Sequence, residues 1–344
     1  MLFEKLIGQR SAEMEKKSFG NTGLEVSRLT LGCGAVGGLM TNGESADQDR
    51  AIAWAIDNGI NFFDTAASYG DGASEHNLGR ALTGKTKGLV ISSKVGIYES
   101  DLSDIAGAIN KSIEASLSRL KLDHIDIYQL HNTLGREDFR GQLRLDQILD
   151  EVIPAFENLQ KSGKVSFLGL TAKGEVEDIN ELINTGVFST AQIFYNLLVP
   201  SAGGAVPANY PADDYKMLLK TASENSVGTI GVRVLAGGAL SGTEERHPLG
   251  MQTVVPIGSD TNYTTDVQRA LKFKPIVEAG YASSLTELAT RYVISNPLLS
   301  TMEIGVATLL ELQQATAAVN KGSLSDEVLE KIRKVQASFV TSTH

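Results

Sequence analysis

The stretch N-F-F-D-T-A-A-S-Y-G-D-G-A-S-E-H-N-L-G-R-A-L, Asn61 to Leu82, changes character twice. Ile60, Phe62 and Phe63 form an apolar run of the kind a buried strand carries. The run stops at Asp64, and a carboxylate at the end of a buried strand is costly unless a cation pairs with it. Tyr69 follows, in a turn opened by Gly70 and Gly72. Ser74 and Glu75 then start an amphipathic helix carrying Leu78, Ala81 and Leu82. An acid and a phenol are thus held where a strand becomes a loop, which is where a parallel α/β fold puts its chemistry.

Outward from this stretch, strand-like runs alternate with helical patterns. Strands are expected at Ser27–Gly32, Ile60–Asp64, Leu89–Lys94, His124–Leu130, Val165–Leu170, Ala191–Tyr195, Thr229–Val234 and Met302–Gly305. Helices are expected near 47–58, 74–83, 103–120, 147–162, 175–185, 213–226, 266–295 and 308–319. Simple alternation argues for a parallel sheet with right-handed crossovers, and eight repeats predict an α/β fold of the (β/α)8 TIM-barrel type. Ahead of the repeat, residues 17–30 read as an N-terminal hairpin turning at Asn-Thr-Gly. Behind it, Ser325–Ala337 opens with Ser-Asp-Glu and reads as an extra C-terminal helix. No linker divides the chain, so residues 14–340 are expected to form a single domain, with residues 1–13 an N-terminal extension before Met14. Leu134–Leu145, Pro200–Ala212 and Ser241–Tyr263 are long loops after the fourth, sixth and seventh strands, on the catalytic face.

Of the 344 residues, 42% are hydrophobic, enough for a sizeable core. The net charge of −10, with no Lys or Arg cluster, argues against nucleic acid and anionic membrane surfaces as partners. No apolar run reaches the roughly 18 residues of a membrane helix. The N-terminus carries Glu4 and no long apolar core, which makes a poor signal peptide. The single cysteine, Cys33, excludes an intrachain disulfide and fits a reducing, cytoplasmic location; in L-T-L-G-C-G it reads as a small core residue. The histidines have no H-x-H or H-E-x-x-H spacing, so no metal site is expected. Neither a P-loop nor a Rossmann fingerprint occurs.

Two further strands end in polar residues that a buried strand does not need: Lys94, in L-V-I-S-S-K-V-G, and His131, in I-D-I-Y-Q-L-H-N. Singly, a strand-end His is more often structural and a strand-end Lys usually reaches solvent. Together with Asp64 they converge on the mouth of the barrel from adjacent strands, with Tyr69 above. Carbonyl reduction or alcohol oxidation needs such a set. Hydride transfer builds negative charge on oxygen, which must then be protonated. Tyrosine is a poor acid near neutrality, with a reference pKa of about 10. A lysine ammonium about 4 Å away is worth roughly 4 kcal/mol at an effective dielectric of about 20, and is expected to lower that pKa. Asp64 would neutralise Lys94, and His131 would donate to the carbonyl oxygen. Tyr69 is then the acid for reduction and the base for oxidation.

D-T-A-A-S-Y-G with S-E-H-N-L-G-R-A-L, I-S-S-K-V-G and the strand ending Q-L-H resemble the aldo-keto reductase superfamily, over nearly the whole chain. The resemblance implies an NAD(P)-dependent oxidoreductase acting on small carbonyl or alcohol substrates, with Asp64, Tyr69, Lys94 and His131 as catalytic tetrad. V-G-I-Y after Lys94 is similar to the branch of aldose and galactose dehydrogenases. On the cofactor side, the resemblance implies that Gly34 lets the cofactor approach the backbone and that Gln192 is the family glutamine. Thr171 and Ala172 stand where the family usually has Ser-Asn. In V-R-V-L-A-G-G, Val232 replaces an aromatic and Arg233 a serine; Arg233 would pair with the pyrophosphate, beside Leu235. Gly305 and Thr308 would supply contacts at the last helix start. A 2′-phosphate wants Arg or Lys, and Ala307 stands near the usual basic position, so NAD is as credible as NADP.

Many members follow the catalytic His with Trp; here Asn132 and Thr133 follow it. Asn132 is expected to contact substrate. Arg136, Glu137, Asp138 and Arg140, with Glu244, Glu245, Arg246 and His247, are expected to make a polar wall suited to a polyhydroxylated substrate such as an aldose. A cofactor-binding regulatory subunit and a sugar epimerase or isomerase using transient oxidation stand as alternatives.

Overall fold

The computed structural model describes residues 14–136, 141–259 and 262–340, so the expected extension 1–13 lies outside the described residues. Eight strands form a closed parallel barrel: β1 (Leu29–Gly32), β2 (Phe62–Asp64), β3 (Val90–Val95), β4 (Ile125–Leu130), β5 (Val165–Ala172), β6 (Thr190–Phe194), β7 (Gly228–Val232) and β8 (Thr301–Gly305). They follow each other around the barrel in chain order and β8 pairs with β1. β3 and β6 are buried at every residue, as expected of strands covered by side chains within the barrel and by helices outside it. The register pairs Gly32 with Asp64, Asp64 with Ser92 and Lys94 with Gln129. It therefore brings the polar strand ends to one rim.

The outer helices are α1 (Ser45–Asp57), α2 (Ala73–Ala81), α3 (Ile105–Leu120), α4 (Ile153–Lys161), α5 (Val176–Asn184), α6 (Leu218–Glu224), α7 (Leu285–Ile294) and α8 (Leu309–Asn320). α3 shows why they form. Asp104 caps it by accepting from Gly107 N at 2.8 Å. Ile105, Ile109, Ile113, Leu117 and Leu120 then recur at helical spacing and are buried, each worth roughly 1.5–3 kcal/mol in apolar burial.

The hairpin pairs Lys16–Ser18 with Glu25–Ser27. Its turn buries Phe19 edge-on to Phe62, with ring centroids 5.6 Å apart. A Cβ on Gly228 would lie 2.6 Å from that ring, so glycine is needed there. Phe62 and Gly228 begin β2 and β7, so the hairpin closes the end of the barrel where the strands start. The C-terminal helix, Asp326–Ala337, packs on the outside, with Gln336 Nε2 donating to Leu197 O at 3.0 Å.

Two expected helices differ. The segment 213–226 becomes helical only at Leu218, because Lys216 and Met217 take positive φ and Met217 N is drawn to Ser201 O at 2.9 Å. The segment 266–295 breaks into Tyr263–Leu271, Lys274–Glu278 and α7. Pro275 starts the second piece, Gly280 at φ +85° follows it, and Ser284 caps α7 through Glu287 N at 3.1 Å. Among the described residues, no helix is long and apolar enough to cross a membrane.

Candidate active site

Lys94 is fully buried at the end of β3. Its ammonium pairs with the Asp64 carboxylate and donates to Thr65 O at 2.9 Å and to Tyr69 OH at 3.2 Å. Three N–H donors thus meet three acceptors. The second Asp64 oxygen accepts from Ser92 Oγ at 2.7 Å and Gln129 Nε2 at 3.0 Å. Such complete pairing is the condition on which two buried charges are tolerated. Tyr69 is held by the turn below it: Ser74 N donates to Tyr69 O at 3.2 Å, and Ser74 Oγ reaches back to Cys33 O at 2.8 Å. Gly70, Asp71 and Gly72 all take positive φ, which the two glycines make possible. The His131 ring stands edge-on to Tyr69, with centroids 5.6 Å apart. The structure brings all four expected catalytic residues together.

Their protonation follows from burial and neighbours. Burial pushes the Tyr69 phenol up, Lys94 pulls it back, and Asp64 and Glu303 push it further, to about 12. The expected lowering by Lys94 is therefore a counterweight and not the net result, because two carboxyl groups and the dry site oppose it. Burial, then Lys94 and Lys173, hold the His131 imidazole down at about 3, so it is neutral and can donate one N–H. Burial pulls the Lys94 ammonium down, but Asp64, Tyr69 and Glu303 outweigh it and hold it above its ordinary range. Cys33 is buried, and burial with Asp64 and Glu303 pushes its thiol up, as suits a core residue.

The expected cofactor residues form an arc around this centre. A Cβ on Gly34, two residues past β1, would lie 3.4 Å from the Tyr69 ring, so the glycine leaves that side of the ring open. Thr171 and Gln192 are register partners on β5 and β6; Thr171 Oγ1 donates to Gln192 Oε1 at 3.3 Å. Arg233 follows β7 at φ +56°, with Asn196 Nδ2 donating to its carbonyl at 2.9 Å. Leu235 is half-buried in the same turn. Gly305 is exposed at the end of β8, and Thr308 caps α8 by accepting from Glu311 N at 3.2 Å.

Arg233 and Lys173 line a cavity of about 470 Å³ with Thr133, Tyr215 and Val254. Neither side chain makes a hydrogen bond or ion pair among the described residues. Burial and the neighbouring Arg233 hold the Lys173 ammonium below its ordinary range. The loop after β7 reaches past β8 to the turn after β1 as a strap: Arg246 donates to Gly237 O at 2.7 Å and Tyr263 OH at 2.8 Å, and Met251 N donates to Ala35 O at 3.1 Å.

Asn132 does not take the expected substrate-facing role. Its Oδ1 accepts from Ile97 N and its Nδ2 donates to Ile97 O, both at 2.8 Å, so its amide pins the loops after β3 and β4 together. Three members of the expected polar wall are likewise engaged within the protein. Arg136 pairs with Glu175 and Asp178, Arg246 builds the strap, and His247 Nδ1 accepts from Leu249 N. Glu137, Asp138 and Arg140 lie outside the described residues.

A family model described as the aldo/keto reductase family matches residues 28–337. The chain belongs to the aldo/keto reductase family. It is 28% identical to L-galactose dehydrogenase of Arabidopsis thaliana, over 90% of this chain and 89% of that protein. It is 30% identical to the oxidoreductase YrpG of Bacillus subtilis, over 94% and 96% respectively. The solved aldo-keto reductase AKR11C1 from Bacillus halodurans, in its holo form, has a TM-score of 0.70 at 23% identity, covering 96% of this chain and 99% of that one; this likeness speaks for the fold. As an aldo/keto reductase, the protein is an oxidoreductase of carbonyl and alcohol groups.

Three residues at this aldo/keto reductase's site escaped the sequence reading. Lys173 follows β5, and Glu311 Oε2 accepts from Ala307 N at 2.7 Å at the start of α8. Glu303 sits within β8 and accepts from Gln192 Nε2 at 2.8 Å. Only Glu303 carried a signal, as a carboxylate inside an otherwise apolar barrel strand.

Proposed function

We propose that this aldo/keto reductase interconverts a small polar carbonyl compound, of the sugar-derived kind, and its alcohol with NAD(H), using Tyr69 as acid and base. The observation that carries the reading is the Lys94 ammonium shared between Asp64 and Tyr69 OH. In reduction, the phenol gives its proton to the carbonyl oxygen and Lys94 stabilises the phenolate left behind. In oxidation, the phenolate takes the proton back. Neutral His131 donates to the same oxygen and orients it. Asp64 keeps Lys94 charged and aimed.

A nicotinamide cofactor supplies or takes the hydride, and the residues fit one. Among the described residues, neither the Arg233 nor the Lys173 side chain makes a hydrogen bond or ion pair, and both suit phosphate oxygens. Gly34 leaves the Tyr69 ring uncovered. Thr171 and Gln192 offer polar groups for the carboxamide, while Val232 gives an aliphatic face where relatives of this family have an aromatic. The preference for NAD rests on Glu311. Its carboxylate accepts from Ala307 N where a 2′-phosphate needs a cation, and it suits a ribose hydroxyl instead. The similarity to L-galactose dehydrogenase supports a sugar-derived substrate.

Titration with NADH and NADPH, then turnover on aldoses and simple aldehydes with each, tests the reading. Tighter NADH binding and turnover of polar carbonyls are expected; cofactor binding with no turnover on any carbonyl or alcohol would sink it. Glu311→Arg is expected to move the NADP-to-NAD ratio of kcat/KM up by about tenfold, roughly 1.4 kcal/mol. An unchanged ratio would remove Glu311 from the argument.

A further inference from the structure

Glu303 pairs in register with Thr30 across the β8–β1 seam. Its side chain fills the space over Gly32, where a Cβ would lie 2.6 Å from Oε1, so β1 needs glycine at that point. From there it reaches toward two neighbours. Oε2 accepts from Gln192 Nε2 at 2.8 Å, and the carboxyl lies beside Asp64, the register partner of Gly32. Two carboxyl groups in such contact cannot both be ionised; one proton lies between them. Asp64 already receives Lys94, Ser92 and Gln129, whereas Glu303 forms no ion pair among the described residues. The proton therefore belongs to Glu303.

This completes a continuous chain: Thr171 to Gln192, Gln192 to Glu303, Glu303 to Asp64, Asp64 to Lys94, Lys94 to Tyr69. One end is the pair that faces the proposed carboxamide site and the other is the catalytic phenol. We propose that Glu303 is a positioning residue for the reaction, a carboxyl group that fixes the Gln192 amide and sets the charge felt by Asp64, Lys94 and Tyr69. The proposal rests on the assignment of Tyr69 as the acid.

The titratable groups facing Glu303 are Asp64, Lys94, Tyr69 and Cys33. Burial, then Asp64, push its carboxyl up against the pull of Lys94, to about 8. Below that pH it is neutral and donates to Asp64. Above it the proton passes to solvent, and the new negative charge makes Tyr69 hold its own proton more tightly. Glu303 thus keeps the phenol protonated to higher pH, which favours reduction over oxidation on the alkaline side.

Glu303→Gln tests this, because an amide can accept from Gln192 and donate to Asp64 as the neutral acid does but cannot ionise. The variant is expected to bring the alkaline fall of the reduction rate down by ~1 pH unit. In the cofactor-free wild type, the infrared C=O band of a protonated carboxyl is expected to disappear as pH passes 8, and to be missing in the variant. The infrared measurement needs no turnover, so it reads the placement of Glu303 separately from the proposed activity. Superposable pH profiles for wild type and variant would overturn the proposal, as would a titrating band that survives in Glu303→Gln.

Discussion

The Lys94 ammonium has no donor to spare: Asp64, Thr65 O and Tyr69 OH take all three N–H groups. Lys94→Met removes the counterweight that keeps the phenol from rising beyond about 12, and leaves Asp64 buried without its cation. Turnover is expected to fall by roughly 10²–10⁴, and stability by about 3–5 kcal/mol. The pH–rate profile and urea unfolding check both; wild-type activity with an unmoved pH optimum would remove Lys94 as the tuning group. Asn132 gives the contrasting case. Its two bonds to Ile97 are structural, so Asn132→Ala is expected to cost about 2 kcal/mol while KM changes less than about threefold. A tenfold rise in KM with unchanged unfolding would return it to the substrate. The convergence of the four residues was legible because Asp64, Lys94 and His131 stand at strand ends and Tyr69 follows Asp64 in the next turn. Glu303 carried a signal as a carboxylate in a barrel strand, but its partner Gln192 lies 111 residues away and was not legible. Asn132 was misread because sequence shows that an amide is near the mouth, not that both its atoms are already bonded.

At the scale of elements, strand alternation gave bounds within two residues, since each barrel strand is a short buried run between glycines and caps. Helix ends were harder where a second signal lay inside a periodic stretch, as with Pro275 and Gly280 in 266–295. One junction there predicts a pH effect. Glu287 on α7 accepts from Ser283 N at 3.2 Å, from Arg291 at 3.2 Å and from Lys321, just past α8, at 2.6 Å. Burial pushes its carboxyl up, but Lys321 and Ser283 outweigh that and hold it down at about 2. A depressed carboxyl stabilises the fold above its ordinary pKa of 4.5 and loses that contribution as pH falls toward 2. Glu287→Gln is therefore expected to be less stable than wild type at pH 7, with the gap closing between pH 4.5 and 2. Urea unfolding at several pH values checks it; a gap that stays constant would show that the contribution is not ionic.

Across the whole molecule, the barrel has a closed end and a working end. The hairpin buries Phe19 under the strand starts, while the strap ties β7 to the turn after β1 above the strand ends. The buried Asp64–Lys94 pair, the Glu303 carboxyl and the Arg233 and Lys173 cations of the cavity gather at the working end. Tyr69 is the one group in that assembly proposed to exchange a proton with substrate. The most direct measurement is Tyr69→Phe, with NADH affinity and carbonyl reduction compared against wild type in the same preparation. NADH affinity is expected to stay within about twofold while turnover falls by roughly 10²–10⁴. Turnover within a few-fold of wild type would contradict the account.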